Sequence, residues 1–277
     1  KFEKPTYKIT EYVENNNYGK FELEPLERGF GTTLGNALRR VMLSSMPGSA
    51  IVAVKIDGVM HEFQAIDGIV EDVTSIILNL KSIVIKNNTE EDKVLHLHAA
   101  TEGVVTAGDI ETDADVEIIN KDQVIATLAK GGKLDMELIV SNGRGYVPGN
   151  ENKKFIENNK IGYIPIDALY SPIERISYEV DNARVGQDAN YDKLILSVYT
   201  NGSLRPEEAI ALGSKILIEH LNVLLDLSDI ADMTGIMSAK EEDSRLKKLE
   251  TPIEDLEFSV RAFNCLKRAN INTLGDL

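Results

Sequence analysis

The sequence predicts an α+β fold: a helix-and-sheet subdomain interrupted by a β-rich insert, then a charged linker and the start of a small helical domain. Three observations carry that prediction. Glu27–Gly48, ERGFGTTLGNALRRVMLSSMPG, joins a glycine-rich entry to apolar residues at helical spacing and ends on a Pro-Gly stop. From about Asn87 to Tyr163 the pattern is short strands divided by turn residues. From Pro206 a broad apolar stripe of helical period returns.

In chain order, Tyr7–Val13 and Tyr18–Leu23 read as strands joined by the polar run Glu14-Asn15-Asn16-Asn17, with Phe21 and Leu23 alternating against Glu22 and Glu24. The helix that follows has Thr32 or Thr33 available as N-cap and cannot pass Pro47-Gly48, which leaves a core of about three turns. Leu34, Leu38, Val41 and Ser45 fall along one face, Gly35 and Ala37 permit close approach of another backbone, and Arg39 and Arg40 stand beside the stripe. Ala50–Ile56 alternates, Asp57-Gly58 signals a two-residue hairpin into Val59–Phe63, and Ile69–Leu80 carries Val73, Ile76, Ile77 and Leu80 at helical spacing before a strand at Ser82–Lys86.

In the β-rich stretch the strands are Val94–His98, Asp115–Ile119, Val124–Leu128 and Lys133–Val140, with Gly131-Gly132 and Asn142-Gly143 as breaks. Strands at Ile173–Asp181 and Lys193–Thr200 flank a polar loop. Pro206 suits a first helical turn, with Glu207 and Glu208 set against its dipole. Ile210, Leu217, Leu221, Leu224 and Leu227 then line a helix of about 33 Å. That helix is apolar over too much of its circumference to face water alone, so it calls for a partner, such as the same helix of a second copy. Between Ser238 and Pro252 the run AKEEDSRLKKLETP reads as a linker. Ile253–Leu277 has a helical stripe of Leu256, Val260, Phe263 and Leu266 but is too short for a core of its own, so the remainder of this domain is expected beyond Leu277.

The 277 residues, 43% of them hydrophobic, suffice for two domains of a soluble globular protein. A net charge of −15 argues against a surface that coats nucleic acid, so any DNA contact is local. One cysteine excludes an internal disulfide, no apolar run approaches membrane-spanning length, and a cytoplasmic location is expected.

No catalytic constellation is legible. Gly29, Gly31 and Gly35 resemble a phosphate-cradling loop only loosely: there is no Gly-Lys-Ser/Thr, and the spacing is one residue too long for a dinucleotide fingerprint, so a tight helix-entry turn is the better reading. His96 and His98 share a strand face without a ligand set close in sequence, and His61, His220 and Cys265 stand alone. No metal site and no cofactor are expected. Arg39 and Arg40 read, from residue type, as a solvated pair lying over apolar surface. Arg261, Lys267 and Arg268 gather around one short helix with Asn264, a donor set that suits phosphates and a groove edge, though a solvated helix face is the commoner outcome.

The stretch FELEPLERGFGTTLGNALRRVMLSSMPG closely resembles the bacterial RNA polymerase alpha subunit family, and the likeness continues through VKIDGVMHEF, VEDVTSIILNLK, GRGYVPG, YSPIERISYEV, TNGSLRPEEAI and DLEFSVRAFNCLK. The resemblance implies a non-catalytic homodimer that scaffolds assembly of the beta and beta-prime subunits, with the nucleotidyltransferase site in those subunits. It implies dimerisation through Leu34, Leu38, Val41, Leu217, Leu221 and Leu224, beta contacts at Arg39, Arg40 and Leu43, and beta-prime contacts at Lys81 and Ile166. Residues 1–47 and 173–236 become the dimerisation subdomain, 48–172 the β-rich insert, 237–252 the linker and 253–277 the start of a C-terminal domain that contacts upstream promoter DNA and activators. The match to VRAFNCLK carries DNA contacts over to Arg261, Asn264, Cys265 and Lys267. Two other classes remain as alternatives: a free-standing DNA-binding regulator and a phosphate-binding enzyme.

Overall fold

The computed structural model describes residues 4–13, 17–155, 162–186 and 188–225. The linker, the C-terminal segment and the DNA contacts at Arg261, Asn264, Cys265 and Lys267 lie outside the described residues, as does Leu227. Within them the protein builds three clusters of buried apolar side chains around two main antiparallel sheets, of four and seven strands, with two further two-stranded ribbons.

The first sheet holds β1 (Thr6–Tyr12), β2 (Tyr18–Glu27), β14 (Ile173–Val185) and β15 (Asp188–Thr200) in the order β1-β2-β15-β14. Between β2 and the insert runs α1 (Phe30–Ser45), and after β15 comes α4 (Pro206–Leu225). Both helices pack on the sheet face that carries Phe21, Ile176, Leu194, Leu196 and Val198. Along β15 Leu194, Leu196 and Val198 alternate with Lys193, Ile195, Ser197 and Tyr199, and the all-aliphatic face takes both helices. β14 and β15 pair over nearly their whole length, so the polar loop expected between Asp181 and Lys193 is ladder for most of its run. Side-chain polarity there reports solvent on the faces and does not exclude a strand.

The insert enters on β3 (Pro47–Ile56) and runs through α2 (Val73–Lys81), β4 (Ile85–Asn87), β5 (Lys93–Ala99), β6 (Gly103–Thr106), β7 (Ile110–Glu111), β8 (Val116–Ile118), β9 (Val124–Leu128) and β10 (Leu134–Arg144). It closes with β11 (Tyr146–Val147), the short α3 (Gly149–Asn152), β12 (Ile164–Pro165) and β13 (Ala168–Leu169). Its sheet has the order β7-β5-β10-β3-β4-β8, with β12 also on β3. The ribbon β6–β9 and α2 cover one face of that sheet. Ile51, Val54 and Ile56 of β3 point into this core, whereas Val52 and Ala53 pack with Ile139, Ala168 and Tyr170 on the other side. A register shift opposite Ile139 and Val140 leaves Val52 as the extra residue. β3 is therefore buried on both faces at its centre and reads as an unbroken apolar run.

Two turn signals behave differently from expectation. Asp57-Gly58 does make a turn, with the Val59 amide donating to the Ile56 carbonyl at 3.1 Å, but Val59–Phe63 does not return as a strand. The Asp57 amide instead donates to the Asp135 carbonyl across the sheet. Asn142-Gly143 does not break β10: Asn142 and Gly143 pair with Ser49 and Gly48, and the Tyr170 ring covers Gly143 so closely that a Cβ there would lie 2.6 Å from it.

Candidate assembly surface

Helix α1 carries Arg39, Arg40 and Leu43. Its buried face is Gly31, Gly35, Leu38 and Met42, with Leu34, Val41 and Ser45 half-buried at its flank. The stripe is thus rotated from Leu34-Leu38-Val41-Ser45, because two glycines sit where the helix meets the sheet. A Cβ on Gly35 would lie 2.6 Å from the Tyr178 ring, and one on Gly31 2.8 Å from Val180 Cγ1. Close approach of the backbones fixes the helix's roll, and Met42, fully buried, becomes the central side chain. Neither threonine caps the helix. The N-cap is Gly29, in the left-handed region at φ 90°, and Thr33 Oγ1 donates back to the Gly29 carbonyl at 3.1 Å.

With that roll, Arg39, Arg40 and Leu43 stand on the solvent side, Leu43 being 40% exposed. Ser44 Oγ donates to the Arg40 carbonyl at 2.8 Å. Two guanidinium forks beside an exposed leucine can offer bidentate donors around an apolar contact.

α4 crosses α1 where Gly213 makes room for Met42: a Cβ on Gly213 would lie 2.8 Å from Met42 Cγ. Its first half is seated, with Ala209 fully buried and Ile210, Leu212, Ile216 and Leu217 packed against the core. From Ile218 every described side chain is exposed, including Leu221 at 56% and Leu224 at 59%, together with Ile218 and Val223. The six residues expected at a dimer contact therefore fall in three settings: Leu38 in the protomer's own core, Leu34, Val41 and Leu217 half-buried, and Leu221 and Leu224 bare. Ile218 and Val223 are exposed on the same helix end and escape sequence reasoning, although their apolar character is the available signal.

Lys81 and Ile166 are brought together on the insert. Lys81, the last residue of α2, holds Asp167 Oδ2 at 2.8 Å, and the Gly149 amide donates to Asp167 Oδ1 at 2.8 Å. The Lys81 ammonium, followed by that amide, keeps the Asp167 carboxyl below the usual carboxylate range. The Ile166 side chain, 3% exposed, is part of the insert core: in the connection between β12 and β13 burial alternates, and Ile166 is turned inward beside the half-buried Asp167. The side chains available to a partner at this place are Lys81 and Asp167.

A polar cleft rich in titratable groups lies on the open face of the insert sheet. His96 and His98 do share a strand face, and register sets Glu111 and Glu137 opposite His96 and Asp135 opposite His98, where Asp135 Oδ1 meets His98 Nδ1. Carboxylates distant in sequence are thus beside these histidines, yet among the described residues no group of three or more His, Cys, Asp and Glu is arranged to hold a metal ion. Glu137 also accepts from Tyr163 OH, and burial followed by that carboxylate pushes the Tyr163 hydroxyl up to about 12. His220 Nδ1 lies 2.7 Å from the Ile216 carbonyl, as a helical side chain beside its own turn. Gly29 and Gly31 direct their amides at Asp192, which occupies the place a phosphate would need. No described helix is long and apolar enough to cross a membrane.

An arginine-bearing exposed helix face and a bare apolar helix end, with no metal cluster among the described residues, are the surfaces of a protein suited to assembly or docking. Residues 54–171 match the family described as the RNA polymerase Rpb3/RpoA insert domain, and residues 239–277 match the C-terminal domain of the bacterial RNA polymerase alpha subunit. The sequence is 55% identical over 275 residues to the DNA-directed RNA polymerase subunit alpha of Symbiobacterium thermophilum and 54% identical over the same length to that of Oceanobacillus iheyensis, covering 99% of this protein and 87% of each relative. It belongs to the family of bacterial DNA-directed RNA polymerase alpha subunits.

Proposed function

We propose that this protein is the assembly subunit of a bacterial RNA polymerase: a homodimer that recruits the beta and beta-prime subunits and whose C-terminal segment contacts upstream promoter DNA and activators in the nucleoid. The observation that carries the reading is the bare apolar end of α4, Ile218, Leu221, Val223 and Leu224, set beside a helix α1 whose outer face is free. A second copy crossing at α1 and α4 would cover that end, and an obligate interface of this kind buries on the order of 2,000 Å² or more. Arg39, Arg40 and Leu43 would then dock beta, with the charged heads supplying carboxylate recognition and Leu43 the apolar contact. Lys81 and its partner Asp167 would serve beta-prime, with Ile166 supporting them from the core. Catalysis belongs to the recruited subunits.

Arg40→Ala tests this directly. It removes exposed donors without opening the core, so dimerisation measured by sedimentation should be unchanged while capture of purified beta subunit falls several-fold. Dimer loss in Arg40→Ala would mean that the two surfaces are not separate, and full capture would remove Arg40 from the beta contact.

A further inference from the structure

We propose that Asp192 is a positioning residue for the partner-facing side of α1, capping from the β14–β15 hairpin a helix whose own sequence supplies no cap. The inference rests on Arg39, Arg40 and Leu43 being a docking surface.

The first amides of a helix have no intrahelical acceptor, and the common remedy is a Ser, Thr, Asp or Asn at the N-cap or an acid in the first turn. α2 follows it: Asp72, at its N-cap, accepts from the Ser75 amide at 2.8 Å. α1 has a glycine at its N-cap and no acid in its first turn. Asp192 Oδ2 fills both roles, accepting from the Gly29 amide at 2.8 Å and the Gly31 amide at 3.1 Å, with 163 residues between Gly29 and Asp192.

The backbone makes this arrangement specific. Asp192 stands opposite Leu26 near the end of β2 and opposite Asn182 on β14, so the stretch from Leu26 to Gly31 folds back over one carboxylate. The seat has no slack: a Cβ on Gly31 would lie 3.1 Å from Asp192 Oδ2 and 3.2 Å from its Cβ. Gly35 seats the middle of α1 against Tyr178 and Leu194, and its ends are held by Asp192 at the start and by Met42 against Gly213 near the finish. The seat and the two end anchors together fix its roll. With one released, a roll of roughly 30° would move a side-chain tip 5–6 Å from the axis by about 3 Å, the length of a hydrogen bond. Arg39 and Arg40 are the side chains that such a roll would misdirect.

The test uses the full-length protein with Asp192→Ala and Asp192→Asn, read by amide hydrogen exchange, sedimentation and capture of purified beta subunit well below the melting temperature. In Asp192→Ala, exchange at Gly29 and Gly31 should speed up roughly tenfold, with the amides of α2 unchanged as an internal control. Its dimer should persist and its capture of beta fall several-fold. Asp192→Asn, whose carboxamide oxygen can still accept both amides, should recover most of the capture. A merely structural residue would lower the melting temperature and leave capture as it was. Unchanged exchange in Asp192→Ala, or faster exchange with undiminished capture, overturns the proposal. Should Asp192→Ala not fold, Gly31→Ala displaces the helix from the same carboxylate and gives the same readouts. Failure of the unaltered protein to capture beta overturns the docking reading and the positioning role with it, whereas the exchange result alone still decides whether the cap exists.

Discussion

Helices α2 and α4 are both rich in aliphatic residues and meet opposite fates. α2 places Val73, Ile76 and Leu80 into the insert core, and the sheet with the β6–β9 ribbon surrounds them. α4 seats Ala209 and the residues near it, then runs off the end of its sheet with Ile218, Leu221, Val223 and Leu224 bare. Burial is decided by what lies opposite a helix more than by the helix itself. The insert core closes within one protomer and leaves apolar side chains such as Met60, Phe63, Val70 and Leu78 exposed around it, whereas in α4 the exposed aliphatic residues gather on a single helix end.

The sharpest way to break this contrast is a charge on each kind of surface. Leu224→Asp should dissociate the homodimer by about a thousandfold in Kd, on the order of 4 kcal/mol for an unpaired buried carboxylate, while leaving the protomer folded because the side chain is exposed there. Sedimentation at micromolar concentration checks it, and a fully dimeric variant would show that α4 ends in solvent. In α2 the comparable lesion is internal: Ile76→Ala removes a fully buried side chain and should cost about 2–5 kcal/mol in urea unfolding without altering association. Gly35→Ala asks whether the close seat of α1 matters as much as either. Its Cβ would have to displace the Tyr178 ring, for an expected cost of about 1–3 kcal/mol by the same measurement.

The smallest effect is a pH dependence confined to the insert. Asp167 has a carboxyl lowered by Lys81 and the Gly149 amide, so its contribution is present above the unfolded carboxylate value near 4 and is lost as pH falls through the lower folded value. Asp167→Asn should lower the neutral urea midpoint slightly and so flatten the acid limb, because the contribution it removes is present at neutral pH and already lost in acid. An acid limb identical to that of the unaltered protein would show that the Lys81 pair is thermodynamically silent.

Much of the architecture is legible from period and punctuation. The strand at Val94–His98 and the one at Val124–Leu128 lie where alternation puts them, and α4 begins at the proline that suits a first turn. Departures fall where a local signal is overruled at long range. Asn142-Gly143 stays in a strand because Gly143 pairs with Gly48 and lies so close under the Tyr170 ring that a side chain would clash with it. The α1 stripe is rotated because the sheet rewards glycine at Gly31 and Gly35, which carry no hydrophobic signal of their own. Arg39, Arg40 and Leu43 are legible as a motif, but their exposure follows from that rotation. Ile166, expected at a partner contact, is turned into the insert core in the connection between β12 and β13, beside Asp167.

Local period, turn chemistry and motif order are properties of neighbouring residues, and so the linear sequence is enough to define the elements, the interrupted layout and the family. Which apolar faces are covered, which glycines are contact points and which carboxylate caps α1 depend on residues brought together from far apart, as Asp192 and Gly29 are. Those outcomes follow from packing and the pairing of backbone polar groups, which only the folded protein resolves.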